Sequence, residues 1–238
     1  MNAAGLFDLT DEYTQMLDQG IRLSGEDQYF FIRGRLRHLR QRLPPNWRPR
    51  RILDFGCGIG HTAWHLGEAF PDAEVVGFDT SSNALAQAQA AYRSPRIQFH
   101  PAEALPMQEP FDLCYTNGVF HHISPGERPR ALRMIYDSLA PGGYFALFEN
   151  NPWNPGTRCV MRRIPFDRDA ITLSPPTGRQ LVESAGFRLC GATRFLFYFP
   201  CALALLRFSE PWLSRAPLGA QYCVLASRLA RVPGAPAT

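Results

Sequence analysis

The stretch that decides the fold is an apolar run followed by three glycines at alternate positions, Ile52-Leu53-Asp54-Phe55-Gly56-Cys57-Gly58-Ile59-Gly60. The apolar run has the length and composition of a short buried strand. Glycine directly after such a strand lets the backbone approach a ligand closely, because no Cβ intervenes. The segment therefore predicts a ligand-binding loop between a strand and a helix.

Strand and helix patterns alternate outward from this loop. The predicted strands are 51–55, 74–78, 97–100, 111–115 and 144–148, and the predicted helices are 61–70, 81–92 and 128–139. Such alternation predicts βαβ units and an α/β fold with a doubly wound, mainly parallel sheet. Ligands of these sheets bind in the crevice at the carboxyl ends of the strands. The glycine loop is placed at that edge.

Two acidic residues indicate which ligand the loop accepts. Asp54 stands two residues before Gly56, where its charge repels a phosphate and attracts an amino group or a sulfonium. The spacing is G-x-G-x-G, whereas the dinucleotide fingerprint is G-x-G-x-x-G. Asp79 ends the second strand, 23 residues after Gly56, where a carboxylate accepts hydrogen bonds from both ribose hydroxyls. The pattern predicts a cationic nucleoside without phosphates.

Five segments in this order resemble the motifs of class I S-adenosylmethionine-dependent methyltransferases, namely 53–60, 77–79, 102–106, 111–117 and 139–143. The resemblance implies a Rossmann-like, seven-stranded methyltransferase fold with an N-terminal helical cap, and S-adenosyl-L-methionine as the cofactor. It divides the chain into a helical cap (1–48), a cofactor-binding core (49–150) and a substrate-side segment that completes the same domain (151–238).

The resemblance also assigns the cofactor-binding residues, which are Asp54, Gly56, Cys57, Gly58, Gly60, Asp79, Thr80, Ala102, Glu103 and Asn117. Many relatives carry an Asp directly before the alanine of the adenine segment. Pro101 occupies that place here and offers no side-chain acceptor. Either Glu103 or backbone groups would then contact the adenine amino group.

Two histidines after the fourth strand are the candidate catalytic groups. Similar small-molecule methyltransferases carry a basic histidine at the second of these positions, so His122 is the first candidate and His121 the second. A base is needed where the acceptor is not already ionised. The alternative is that both histidines cap or pack the loop. Tyr13, Tyr29 and Phe30 belong to the cap that folds over the cofactor in similar enzymes, or are ordinary core aromatics.

Composition excludes several other classes. The net charge of +4 over 238 residues is too small for the basic signature of a nucleic-acid-binding protein. Six scattered cysteines without a C-x-x-C pair argue against a disulfide framework or a zinc site, so we expect a reducing cytoplasm and no metal. The acidic N-terminus is unlike a secretory signal, and the longest apolar run, 195–206, falls short of the roughly 18 residues that cross a membrane.

The first 50 residues predict a helix with its N-cap region at Ser24. Apolar residues recur at helical spacing and form its buried face, at Ile32, Leu36, Leu39 and Leu43. Arginines populate the other faces, at positions 33, 35, 37, 40 and 42. Those faces are either solvated or bind an anion.

The segment 198–221 is apolar at nearly every position and is interrupted by prolines. One interpretation buries it against the sheet or against a homodimer partner. The other places it over the cleft, in contact with a hydrophobic acceptor or a membrane surface. Arg194, Arg207 and Arg215 could then meet the anionic groups of a lipid-like substrate.

The function expected is methyl transfer from S-adenosylmethionine to a small, hydrophobic molecule at an O or C nucleophile. One alternative is a protein that binds the same cofactor for cyclisation or as a scaffold. An NAD-dependent Rossmann oxidoreductase is disfavoured by the glycine spacing and by Asp54. An RNA methyltransferase is disfavoured by the modest charge and the lack of an RNA-binding module.

Overall fold

The computed structural model describes residues 19–101, 109–164, 167 and 170–230. The strands are β1 (Arg51–Phe55), β2 (Glu74–Asp79), β3 (Ile97–Pro101), β4 (Phe111–Asn117), β5 (Leu139–Asn150), β6 (Arg188–Leu189), β7 (Arg194–Leu196) and β8 (Gln221–Ser227). The α-helices are α1 (Gln28–Arg42), α2 (His61–Ala69), α3 (Ser82–Ala91), α4 (Arg128–Ser138), α5 (Pro155–Arg163), α6 (Pro175–Ser184) and α7 (Glu210–Leu213). Two 3-10 helices cover Arg22–Ser24 and Cys201–Ser209.

The predicted α/β fold with a mainly parallel sheet is confirmed. The strand order is β3-β2-β1-β4-β5-β8-β6, with β7 also paired to β8. Strands β1 to β5 run parallel, and β8 is antiparallel to β5. The chain reverses direction across the sheet between β1 and β4, which is where doubly wound sheets open their ligand crevice.

The sheet has eight strands because one predicted edge strand is interrupted. The sequence pattern predicts a continuous strand near 187–195, whereas β6 pairs with the end of β8 and β7 with its beginning. Gly191, between them, has a φ of +87°, a conformation that an extended strand does not contain. The two short strands therefore share the place of one edge strand.

Helices cover both faces of the sheet. One apolar cluster joins α1, α2 and α3 to the sheet through residues such as Leu39, Leu66 and Ala88. The other joins α4 and α6 through residues such as Leu132 and Val182. Because the central strands are buried on both faces, they read as nearly continuous apolar runs in the sequence.

The N-terminal cap helix packs as the periodicity predicts, with one correction at its start. Ile32, Leu36 and Leu39 are buried along α1. Its N-cap is Asp27, whose carboxylate accepts from the backbone N–H of Phe30 at 2.6 Å. The prediction of Ser24 was wrong, because Ser24 ends the preceding 3-10 helix.

The helical position of Arg35 suggested a solvated face, and the structure shows that this was wrong. Its side chain is buried, its Nε donates to the Tyr115 hydroxyl at 2.9 Å, and its Nη1 donates to Gln221 Oε1 at 3.0 Å. A guanidinium tolerates burial where its N–H groups find acceptors. Arg35 therefore fastens α1 to β4 and β8.

The apolar segment after β7 is exposed. In the two described helices of this segment, Cys201–Ser209 and α7, no residue is buried. Leu205 is 90% and Trp212 77% exposed. Burial of this segment against the sheet was therefore the wrong interpretation. Within the described part of the chain, no helix combines the length and the apolar character needed to cross a bilayer.

Two leucine truncations test this difference in burial. Leu39→Ala should lower the free energy of unfolding by about 2–5 kcal/mol, because Leu39 is fully buried and its loss leaves a cavity. Leu205→Ala should change it by no more than about 0.5 kcal/mol. Urea unfolding followed by circular dichroism measures both. A large loss in Leu205→Ala would mean that the segment is packed in solution.

Candidate active site

The glycine loop is pinned to the neighbouring strand by its own backbone. The N–H groups of Gly56 and Cys57 both donate to the carbonyl of Phe78, at 2.8 and 2.9 Å. Gly56 has a φ of +77°, and a Cβ there would lie 2.3 Å from the side chain of Val119. Only glycine fits this position. The loop then turns into α2, with Gly60 at the N-cap.

The crest of the loop faces open space. A Cβ on Gly58 would meet nothing within 4 Å. The Gly58 N–H donates to Asp79 Oδ2 at 2.7 Å, and Asp79 Oδ1 accepts from the N–H of Ser81 at 2.9 Å. A carboxylate oxygen has more than one lone pair, so Asp79 retains acceptor capacity for a ligand hydroxyl. Asp79 thus both shapes the loop and borders the space above it.

Asp54 is a buried carboxyl group, and one of its two oxygens lacks a hydrogen-bond partner among the described residues. It is 2% exposed, and the oxygen in question is Oδ2. Burial, reinforced by the charge of Asp79 and opposed by that of Arg35, raises the pKa of Asp54 to about 8. A buried ionised carboxylate requires a cation or hydrogen-bond donors. The site therefore fits a ligand that brings an ammonium group.

Asn117 offers a second acceptor at the same edge of the sheet. It ends β4, next to β1, and its buried Oδ1 also lacks a partner among the described residues. Buried polar atoms are nearly always hydrogen-bonded, so each such atom asks for an explanation. Together with Asp54, it provides the acceptor set that an α-amino group needs.

The other predicted cofactor residues fall into three groups. Cys57 is buried, and burial raises the pKa of its thiol well above the usual value, so its backbone is what it contributes. Thr80 is exposed directly after Asp79. Ala102 and Glu103 lie outside the described residues. Pro101 pairs in register with Asp79 across β3 and β2, so the chain reaches the cleft edge at that point.

His121 is held between two carboxylates. Its Nδ1 lies 2.6 Å from Glu149 Oε2, and its Nε2 lies 3.4 Å from Asp167 Oδ1. Burial alone lowers the pKa of His121, but the charges and hydrogen bonds of Glu149 and Asp167 outweigh it and raise the pKa to about 10. A buried imidazolium has no lone pair for proton abstraction. This geometry favours a structural role for His121.

His122 stands beside the same carboxylate but is more open. Its side chain is 19% exposed, and its Nε2 lies 3.3 Å from Asp167 Oδ1. Burial alone would raise the pKa of Asp167, but hydrogen bonds from His121 and His122 outweigh it and lower that pKa. The carboxylate therefore stays ionised and can orient the His122 ring.

Sequence reasoning missed the two acids of this cluster. Glu149 stands near the end of β5, at the edge where ligands bind, and that position was a usable signal. Asp167 follows α5, 45 residues after His122, and no pattern pointed to it. Both are found through contacts distant in sequence.

Three residues of this cluster could together hold a metal ion. Ligand atoms of His121, His122 and Asp167 lie within 4.8 Å of one another. The carboxylates of Glu149 and Asp167 are already balanced by the His121 imidazolium and by Arg128, whose charge interacts with that of Glu149. The cluster is therefore neutral through its own side chains.

The cap aromatics point in different directions. Tyr29 lies edge-on to His61 and His65, at 5.4 and 5.6 Å between ring centroids, so α1 covers the start of α2 beside the glycine loop. Phe30 instead contacts Phe197 at 5.9 Å, toward the C-terminal segment. Tyr13 lies outside the described residues.

Comparison with known proteins agrees with this geometry. Residues 52–143 match the family model described as a methyltransferase domain. The matched residues include the glycine loop, Asp79 and Asn117. Over 119 residues the chain is 39% identical to the trans-aconitate 2-methyltransferase of Methylobacterium radiotolerans, covering 49% of this chain and 44% of that protein.

A second relative has a different named substrate. The demethylmenaquinone methyltransferase of Thermus thermophilus is 35% identical over 125 residues, which cover 50% of this chain and 56% of that protein. The chain thus spans about half the length of the curated relatives it matches.

A solved structure extends the likeness in fold beyond the methyltransferase domain. The structure of an S-adenosylmethionine-dependent methyltransferase from Mesorhizobium loti superposes with a TM-score of 0.57 and 24% identity. The superposition covers 81% of this chain and 96% of that chain. At that identity the likeness shows the fold. The class I, Rossmann-like architecture predicted from the motifs is confirmed.

The raised pKa of Asp54 predicts a pH-dependent stability. In the ligand-free protein, a carboxyl group with a folded pKa near 8 and an ordinary value of 3.8 binds more protons folded than unfolded. The contribution of Asp54 to the free energy of unfolding is fully present below pH 3.8 and is lost as the pH rises through about 8. Thermal unfolding of wild type and Asp54→Asn measures it. The difference in Tm, wild type minus variant, should fall across that range, and a constant difference would show an ordinary pKa.

Proposed function

We propose that the chain is an S-adenosylmethionine-dependent methyltransferase acting on a small hydrophobic molecule at an O or C nucleophile. The observation that carries this proposal is the buried Asp54 carboxyl group, whose Oδ2 lacks a hydrogen-bond partner among the described residues, directly before the glycine loop with its open crest at Gly58. The methyltransferase domain matched over 52–143 contains both.

The chain's own residues account for the binding of this cofactor. Asp54 and Asn117 would accept hydrogen bonds from its α-amino group, and Asp79 from its ribose hydroxyls. Gly58 leaves the room that a side chain would take. When bound, S-adenosylmethionine supplies an activated methyl group on a sulfonium. Thr80, Ala102 and Glu103 remain predicted contacts from the motif resemblance.

His122 is the proposed general base. If its Nε2–H donates to Asp167, the lone pair resides on Nδ1, which can take the proton from an acceptor hydroxyl or an acidic C–H. Asp167 also stabilises the imidazolium that forms. The remaining task is to hold the acceptor aligned with the methyl group and away from water, which requires only positioning.

A hydrophobic acceptor is supported by the surroundings of the cleft. The exposed apolar segment runs from β7 to β8. Strand β8 begins at Gln221, opposite Asn150 at the end of β5, and β7 ends at Leu196, opposite Gln221, so the segment lies at the same edge as the glycine loop. The matched relatives are named for trans-aconitate and for demethylmenaquinone, a polar acid and a quinone. Since each match covers only about half of this chain and of the relative, neither name transfers directly.

A direct assay separates methyl transfer from the non-methylating alternative. An NAD-dependent oxidoreductase is disfavoured because the glycine spacing is G-x-G-x-G, whereas the dinucleotide fingerprint is G-x-G-x-x-G. A cyclising or scaffold protein would bind S-adenosylmethionine without transferring its methyl group. The assay offers methyl-labelled S-adenosylmethionine with demethylmenaquinone, with trans-aconitate and with a bacterial lipid extract. Label in the quinone or lipid fraction supports the proposal, label in trans-aconitate overturns the hydrophobic acceptor, and no label in any fraction argues for the non-methylating alternative.

Asp79→Ala tests the cofactor geometry. Binding of S-adenosylhomocysteine, measured by isothermal titration calorimetry, should weaken about 10-fold to 100-fold, because the ribose hydroxyls lose a charged acceptor and Gly58 loses its anchor. Asp72→Ala, an exposed acid in the turn before β2, is the matched control and should bind like wild type. Equal affinity of Asp79→Ala and wild type would refute the proposed ribose site.

His122→Ala tests the base. With an acceptor identified by the labelling assay, kcat should fall about 10²–10⁴-fold while the affinity for S-adenosylhomocysteine stays unchanged. The acidic limb of the pH–rate profile should disappear with it. Asp167→Asn should lower kcat less and alter that limb. His65→Ala, on α2 and paired with Glu68, should do neither. A limb that persists in His122→Ala would mean that the acceptor ionises by itself.

A further inference from the structure

The segment between β7 and β8 carries its apolar side chains outward. The 3-10 helix Cys201–Ser209, α7 and the turn after it expose six large apolar side chains. We call this set the apolar ridge; its members are Leu203, Leu205, Leu206, Phe208, Trp212 and Leu218. Phe208 is 69% and Leu218 66% exposed, so they project from the surface. An ordinary surface helix turns its apolar stripe toward the core. This segment does the opposite.

Two charged side chains of the same segment contact the protein. Arg207 pairs with Glu26 at 2.7 Å and donates from its Nε to the carbonyl of Phe199 at 3.1 Å. Glu210 Oε1 accepts from the backbone N–H groups of Tyr198 and Phe199, at 3.0 and 3.2 Å. The segment is thus held to the protein by polar contacts. These contacts fix the outward orientation of its apolar side chains.

A basic helix adjoins the ridge. Helix α5 exposes Arg158, Arg162 and Arg163 and contains no acidic residue. Its N-cap, Asn154, donates from Nδ2 to the carbonyl of Leu218 at 2.6 Å, which ties the start of α5 to the end of the ridge. Arginine side chains beside protruding apolar groups are the combination that binds anionic lipid surfaces.

We propose that the apolar ridge and α5 dock the protein on an anionic lipid bilayer. Leucine, phenylalanine and tryptophan side chains enter the interface between headgroups and acyl chains, and the arginines of α5 meet the headgroup phosphates. The proposal concerns the location of the protein and holds whichever acceptor it methylates. It also places the cleft edge of the sheet next to the membrane, because β7 and β8 reach that edge.

A second copy of the chain is a less suitable occupant. A twofold contact through the ridge would bring the α5 arginines of two copies toward each other. The one acid between Gly186 and Ala230 is Glu210, whose carboxylate is engaged by the backbone of its own chain. The described residues of the apolar ridge and of α5 include no further acid that would compensate, whereas an anionic bilayer supplies negative charge.

Vesicle co-sedimentation tests the proposal. The full chain is mixed with vesicles of phosphatidylcholine alone and of equal parts phosphatidylcholine and phosphatidylglycerol. We expect binding to the anionic vesicles that weakens with added salt. Leu205→Glu/Trp212→Glu should lower the partition coefficient about 10-fold or more for each side chain replaced. Leu229→Glu, an exposed leucine at the opposite edge of the sheet, is the matched control and should bind like wild type.

A second measurement guards against a misfolded variant. Quenching of tryptophan fluorescence by brominated lipid should be strong in wild type and reduced in Trp212→Phe. The proposal is overturned if wild type stays in the supernatant with anionic vesicles. It is also overturned if the Leu229→Glu control loses as much binding as Leu205→Glu/Trp212→Glu. A dimer in sedimentation velocity that the double variant dissociates would assign the ridge to self-association instead.

Discussion

The buried Asp54 carboxyl group is the constraint around which this site is arranged. It stands at the carboxyl end of the central strand β1, where the backbone turns into the glycine loop. Burial raises the pKa of Asp54, the charge of Asp79 adds to that rise, and the charge of Arg35 on the cap helix opposes it. The cap, the loop and the first two strands are therefore electrostatically coupled, and a cationic ligand would complete the balance.

The second charged cluster serves a different purpose. The charges of Glu149 and Asp167 are balanced by the His121 imidazolium and by Arg128, and Glu149 also accepts from the backbone N–H of Phe120 at 2.8 Å. These contacts fix the turn after β4, in which His122 lies. The buried cluster thus gives the more open histidine a fixed position and an oriented ring. A rigid, already satisfied cluster is what a positioned base requires.

The architecture separates tasks along one edge of the sheet. The ends of β1, β2 and β4 carry the proposed cofactor contacts, and the end of β5 carries Glu149. The last residue of β7 and the first residue of β8 flank the apolar ridge. A membrane-bound protein with this arrangement would present its cleft at the level of the bilayer surface. A hydrophobic acceptor could then reach the methyl group without crossing water.

The sequence by itself determined the local features: the strand–glycine–helix transition, the positions of Asp54 and Asp79, and the alternation that yields a parallel sheet. These follow from backbone sterics and periodicity, which act over a few residues. Only the tertiary structure decided that Arg35 is buried, that Asp167 meets two histidines 45 and 46 residues away, and that the 201–218 segment faces outward. An apolar composition states that a segment avoids water. Which neighbour covers it depends on contacts between distant parts of the chain.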